Sequence, residues 1–190
     1  MILSIDFEKA FDSISWSFLF KTLEFLNFGP EFVRWIRTLY SNMKSCISVN
    51  GQNTDWFEIQ RGVQQGDPCS PYLYLVCAEV LSLMIKGNDL IKDIQMSNNM
   101  NLLSLFADNT TLSLDWSEQS LKEALKAIIE FSSMSGLKIN EDKTMIVWIG
   151  ASKGSNLRFL RDRNYIWDPG TSFKIVGIHF STDIKTIPQL

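Results

Sequence analysis

Histidine is almost missing from this chain: His179 is the only one, and a lone histidine in an apolar run is a packed core residue roughly ten times more often than a ligand. Cysteine is scarce as well. Cys46, Cys69 and Cys77 are odd in number and lack CxxC spacing, which argues against a disulfide scaffold and suits a reducing compartment, cytosol or nucleus. No apolar run is long enough to cross a membrane: the longest, Leu73 to Ile85, is about 13 residues against the roughly 20 required, and it contains Glu79. Met1 to Ile5 is too short for a signal peptide, because Asp6, Glu8 and Lys9 follow at once. Basic charge is not in excess either. The formal net charge is −3 and the pI about 5.2, so the basic footprint usual in nucleic-acid binding is absent from this stretch. There is no internal repeat and no low-complexity segment.

What is present is an ordinary globular composition, 45% hydrophobic in 190 residues, enough for one domain with a real core, with or without a small appendage. Ile2 to Ile5 reads as a buried strand ending at Asp6. A domain that begins on such a strand is expected to be a fragment, or a reading frame opened at an internal Met. Helical spacing follows in Ser15 to Leu26, with Phe18, Leu19, Leu23, Phe25 and Leu26 on the apolar face and Gly29-Pro30 as the stop. Pro30 then opens a helix whose inward residues are Phe32, Val33, Ile36, Leu39 and Tyr40. Ser45 to Val49 and Trp56 to Gln60 flank Asn50-Gly51 as a hairpin, and Pro71 to Ile85 is a third helix with Cys77 a buried thiol. Leu102 to Leu105 and Thr110 to Leu114 form a second hairpin. Ser117 caps a fourth helix, ended by Gly136, with Leu121, Ala124, Leu125, Ile128 and Ile129 inward. Thr144 to Ile149 and Phe173 to Phe180 are strands; Ser97 to Asn101 and Gly150 to Asn156 are surface loops. The interleaving predicts an α+β fold, an antiparallel sheet with helices packed on one face.

Three strings concentrate the chemistry. The first is Ser4-Ile5-Asp6-Phe7-Glu8-Lys9-Ala10-Phe11-Asp12. Taken alone, Asp6 is a helix cap or solvated strand end about three times in four. The second, Arg61-Gly62-Val63-Gln64-Gln65-Gly66-Asp67-Pro68-Cys69-Ser70-Pro71, is dense in turn residues; Gly62 and Gly66 allow close backbone approach to a ligand, and the bland alternative is a plain connection. The third is Phe106-Ala107-Asp108-Asn109 at a hairpin tip. If the first and third lie on neighbouring strands, Asp6 and Asp108 meet as hard oxygen donors of the kind Mg²⁺ prefers.

In this order the three strings resemble the palm of a reverse transcriptase of the LINE-type, non-LTR retrotransposons. Two looser strings support the resemblance, Gly136 to Thr144 as the fourth palm motif and Phe173 to Ile178 as the primer-grip strand. It covers roughly residues 1–180 and implies a polymerase palm-type fold with fingers and thumb largely absent: residues 1–150 the palm, 151–190 its continuation toward a missing thumb. It implies an RNA-directed DNA polymerase that joins deoxynucleotides to a primer 3′-hydroxyl by two-metal-ion phosphoryl transfer, with an RNA template, a DNA primer and dNTPs as partners and no membrane. Mg²⁺ is the implied cofactor, Mn²⁺ a substitute. Asp6, Asp108 and the Phe7 carbonyl are implied as metal ligands, and Asp6, Asp108, Asn109 and Lys143 as catalytic positions. Lys143 is favoured over Lys138 as the lysine that assists the leaving pyrophosphate. Phe7, Phe11, Gln65 and Gly66 are implied at the nucleotide, with Phe11 excluding a 2′-hydroxyl, and Val176 and Gly177 at the primer. Asp67 would sit near a triphosphate and is expected to point away or to weaken binding. In the family a second Asp stands where this chain has Asn109. The alternative is therefore a catalytically inactive remnant serving as a structural or interaction module. A third, an unrelated α+β binding domain, is a matter of a few per cent.

Overall fold

The structure, a computed structural model, describes residues 1–94, 102–106, 109–148, 166–167, 172–175 and 178–181. In chain order its elements are β1 (Ile2–Glu8), α1 (Ala10–Ser13), α2 (Trp16–Phe25), α3 (Pro30–Leu39), β2 (Lys44–Ser45), β3 (Ser48–Val49), β4 (Gln52–Asn53), β5 (Phe57–Glu58), α4 (Ser70–Lys86), β6 (Leu103–Phe106), β7 (Asn109–Ser113), α5 (Glu118–Ser135), β8 (Lys138–Ile139), β9 (Met145–Val147), β10 (Ile166–Trp167), β11 (Ser172–Ile175) and β12 (Ile178–Ser181). Two compact units emerge, one of Met1–Glu8, Leu81–Glu130 and Lys138–Leu190, the other of Lys9–Val80 and Phe131–Leu137.

The first unit is built on a six-stranded sheet in the order β10-β9-β1-β7-β6, with β8 paired to the far end of β1. The pairs are antiparallel except β10 with β9. β1 lies in the middle because it can be covered on both faces: Leu3, Ile5 and Phe7 are buried on one side and the small Ser4 on the other. Its register on β7 runs from Ile2 opposite Ser113 to Asp6 opposite Asn109. The strand continues to Glu8, past the expected end at Asp6, because β8 pairs Phe7 with Ile139 and Glu8 with Lys138. Ser117 caps α5, its Oγ accepting the Ser120 N–H at 3.1 Å. Leu121, Ala124, Leu125 and Ile128 are buried as the spacing predicts, but Ile129 is exposed, since it sits about 90° round the helix from the centre of that stripe. The expected strand Phe173 to Phe180 is instead two strands, β11 paired antiparallel with β12 and Ile175 opposite Ile178. The two predicted loops, Ser97 to Asn101 and Gly150 to Asn156, lie outside the described residues.

In the second unit α2 ends earlier than Gly29-Pro30 would suggest. Asn27 takes the left-handed conformation at φ 59° and Phe28 N–H closes back on Leu23 O at 2.9 Å, while Gly29 serves as the N-cap of α3. Phe25, Phe32 and Leu39, expected inward, are exposed; the buried stripes run instead through Phe18, Leu19, Thr22 and Leu23, and through Val33, Ile36 and Tyr40. The predicted hairpin is interrupted. β2 pairs β5 and β3 pairs β4, with Asn50 (φ 51°) and Gly51 (φ 80°) forming a turn with both central residues left-handed. The end of α5 belongs here: Phe131 meets Phe18 edge-to-face at 5.7 Å, and Ser15 N–H donates to Ser135 O at 2.8 Å. Among the described residues no helix is long and apolar enough to cross a membrane.

Cys77, on α4, is fully buried, and burial pushes its thiol from 9.0 up to about 12. The folded value exceeds the unfolded one, so its stabilising effect is whole below the ordinary thiol range and declines as pH rises from about 9 toward 12. With a thiol-reactive dye at pH 8, exposed Cys69 and part-exposed Cys46 are expected to label in the native chain, and Cys77 only once denaturant is added. Native labelling of all three at one rate would contradict the buried placement.

Candidate active site

Alternation along β1 puts Ser4, Asp6 and Glu8 on the face opposite Leu3, Ile5 and Phe7. Asp6 is therefore held within β1 with its side chain only 14% exposed, directly across from Asn109, the first residue of β7. Residues directly opposite in an antiparallel pair project to the same side, so the carboxylate and the amide share one face of the sheet. Asp108 lies outside the described residues, as do Val176 and Gly177.

The turn after β8 closes over this point. Asn140 N–H donates to the Asp6 carbonyl at 2.9 Å, and Lys143 Nζ stands 3.6 Å from Asp6 Oδ1. Lys138 is engaged elsewhere, 3.2 Å from Glu8 Oε2. The Phe7 ring is buried and its backbone pairs with Ile139. Among the described residues no three His, Cys, Asp or Glu side chains converge on one point. The side chains that face each other at Asp6 and Asn109 offer a carboxylate and an amide, oxygen donors compatible with a hard divalent cation.

The other candidate residues lie in the second unit. The Phe11 ring stacks on Tyr74 at 4.7 Å with 16° between the planes, a neighbour with no signal in linear sequence. The loop after β5 is fixed to the segment around α1: Val63 N–H donates to Phe11 O at 2.7 Å, Gly62 N–H to Ile14 O at 2.8 Å, and Trp16 Nε1 to Gly62 O at 2.8 Å. Gln65 Nε2 donates to Asp12 Oδ1 at 3.1 Å, another partnership the sequence did not announce. Both Asp12 and Gln65 border a cleft of about 600 Å³ whose wall includes Arg61, Gln64 and Phe57. Gly66 has φ 90° and open space where a side chain would be. Asp67 turns onto its own loop, Oδ1 accepting the Cys69 N–H at 3.0 Å.

Comparison with known proteins gives the lineage. The sequence pattern of the family described as reverse transcriptase (RNA-dependent DNA polymerase) matches residues 1–180. The transposon TX1 149 kDa protein of Xenopus laevis is 27% identical over 98% of this chain. The Pol polyprotein of the type-2 retrotransposable element R2DM of Drosophila melanogaster is 30% identical over 78% of it. The chain spans 14% of the length of each of these relatives. Among solved structures, apo telomerase of Candida tropicalis superposes with a TM-score of 0.63 at 17% identity, covering 95% of this chain and 34% of that one, which supports the palm-type α+β fold. Divalent metal ions are the cofactors generally used by this family. The chain belongs to the reverse transcriptase (RNA-dependent DNA polymerase) family, in the LINE-type, non-LTR retrotransposon branch that its R2 and TX1 relatives define.

Proposed function

We propose that this chain is the palm of an RNA-directed DNA polymerase that extends a DNA primer with deoxynucleotides on an RNA template, residues 1–150 forming the palm and 151–190 its continuation toward the primer grip. The observation that carries the reading is the register that sets Asp6 opposite Asn109, with Lys143 at 3.6 Å. Telomerase of Candida tropicalis, with a TM-score of 0.58 to this chain, is solved in complex with a fragment of telomeric RNA, which favours an RNA partner here.

Two Mg²⁺ ions bound at such a site, or Mn²⁺ in their place, would activate the primer hydroxyl and neutralise charge on the triphosphate. Asp6, Asp108 and the Phe7 carbonyl are the proposed ligands, with Asn109 offering an amide oxygen. Lys143 supplies positive charge to the departing pyrophosphate. Phe11, braced from behind by Tyr74, is the surface against which a 2′-hydroxyl would collide. Gln65, oriented by Asp12, and Gly66, open at its Cα, face nucleotide and template. Val176 and Gly177 hold the primer end. With a net charge of −3, the chain itself supplies little of the phosphate grip that template and primer need. One observation favours the second reading, an inactive remnant: the amide at Asn109.

The test is Mg²⁺-dependent primer extension on an RNA template by the chain and by Asp6→Asn. Extension that falls by about three decades or more in the variant is expected, since a ligand charge is lost without change of shape. Extension that is indifferent to Asp6 would remove it from the site. Silence from the chain and from Asn109→Asp alike would favour the remnant.

A further inference from the structure

We propose that Lys143 is a built-in counter-ion for Asp6, so that a divalent cation enters by displacing its ammonium group. The proposal rests on the reading of Asp6 as a metal ligand.

The turn that carries Lys143 is constructed on Asp6 itself. Asn140 N–H is bonded to the Asp6 carbonyl at 2.9 Å, and Asn140 O in turn accepts the Lys143 N–H at 3.3 Å, the Thr144 N–H at 3.0 Å and the Thr144 hydroxyl at 2.8 Å. Thr144 is fully buried, so the base of the Lys143 side chain is fixed relative to Asp6. The pair is asymmetric. Asp6 is 14% exposed and Lys143 67%: a carboxylate largely withdrawn from water needs a positive partner, while the ammonium sits on a long flexible stem in solvent and is easily exchanged. Lys138 cannot substitute without leaving Glu8, 3.2 Å away.

Charge balance sharpens the consequence. Asp6 already has a cation 3.6 Å from its Oδ1, so a dication must compete with that internal cation for the same oxygen.

The experiment is a titration of the full chain with Mn²⁺, reading free ion by its paramagnetic resonance signal, so no turnover is needed. Lys143→Met is expected to tighten Asp6-dependent Mn²⁺ binding about threefold to fivefold, the scale of a partly exposed ion pair. Lys143→Arg, which keeps a cation, is expected to stay within about twofold of the parent. If Lys143→Met binds no more tightly while Asp6→Asn still abolishes the site, the counter-ion role is overturned and the metal-ligand reading stands. If Mn²⁺ binding is absent, or the same in Asp6→Asn as in the parent, the metal-ligand reading itself falls and this proposal with it.

Discussion

Asn109→Asp is expected to raise metal-dependent primer extension by about two to four decades. Unit charges about 4 Å apart interact by roughly 4 kcal/mol at an effective dielectric of 20, and a divalent ion doubles the figure. The net gain is smaller, because a carboxylate costs more to desolvate and an amide already offers an oxygen; at tenfold per 1.36 kcal/mol the remainder gives those decades. The change has a signature apart from turnover. Asp6 and residue 109 are cross-strand partners, and like charges directly opposite destabilise an antiparallel pair, by up to about 1 kcal/mol. Without metal the variant is therefore expected to melt lower than the parent, and with Mg²⁺ or Mn²⁺ to show the larger rise in Tm. A variant that melts higher than the parent in chelator would contradict the shared face of Asp6 and residue 109. A variant with the expected melting behaviour but no extension would place the defect elsewhere than at Asn109.

The parts of this arrangement that were legible in sequence are those encoded locally. The cap at Ser117, the stop at Gly136 and the Asn50-Gly51 turn each announce themselves within a few residues, and each stands where its residues put it. A meeting of Asp6 with Asp108 rested on one further assumption, that the two strands are neighbours; they are, with Asp6 opposite Asn109, while Asp108 itself lies outside the described residues. The burial of β1 on both faces makes that arrangement natural, since a strand of this kind belongs in the middle of a sheet. What sequence could not convey was partnership at long range. Nothing local pairs Asp12 with Gln65, Phe11 with Tyr74, or Asn140 with the Asp6 carbonyl. Helix faces were legible only to within about one residue's rotation. Phe25, Leu39 and Ile129 are apolar residues at the margins of their stripes, and helical spacing drawn too wide placed them inward.

Gly62→Ala is expected to destabilise the chain by about 2–4 kcal/mol, a large part of the roughly 5–15 kcal/mol typical of a domain. Two causes add. Gly62 has φ 87°, a conformation that costs an L-residue roughly 1–2 kcal/mol, and a Cβ built there would lie 2.8 Å from the Asp12 carbonyl oxygen and 2.9 Å from its carbon and Cα. Backbone cannot yield as a side-chain tip can. Gly62 is also tied on both sides, its N–H to Ile14 O and its carbonyl to Trp16 Nε1, each at 2.8 Å, so retreat breaks bonds worth about 1 kcal/mol apiece. Gly66 is the internal control. It has a similar φ of 90° but nothing within 4 Å of the place a methyl group would occupy, so Gly66→Ala should carry the conformational cost alone, about 1 kcal/mol. Urea unfolding of the two variants separates the effects: a clearly lower midpoint for Gly62→Ala is expected. Equal midpoints would mean that the approach to Asp12 contributes nothing, and that the loop bearing Gln65 is held to the Phe11-Asp12 segment by something other than this close backbone contact.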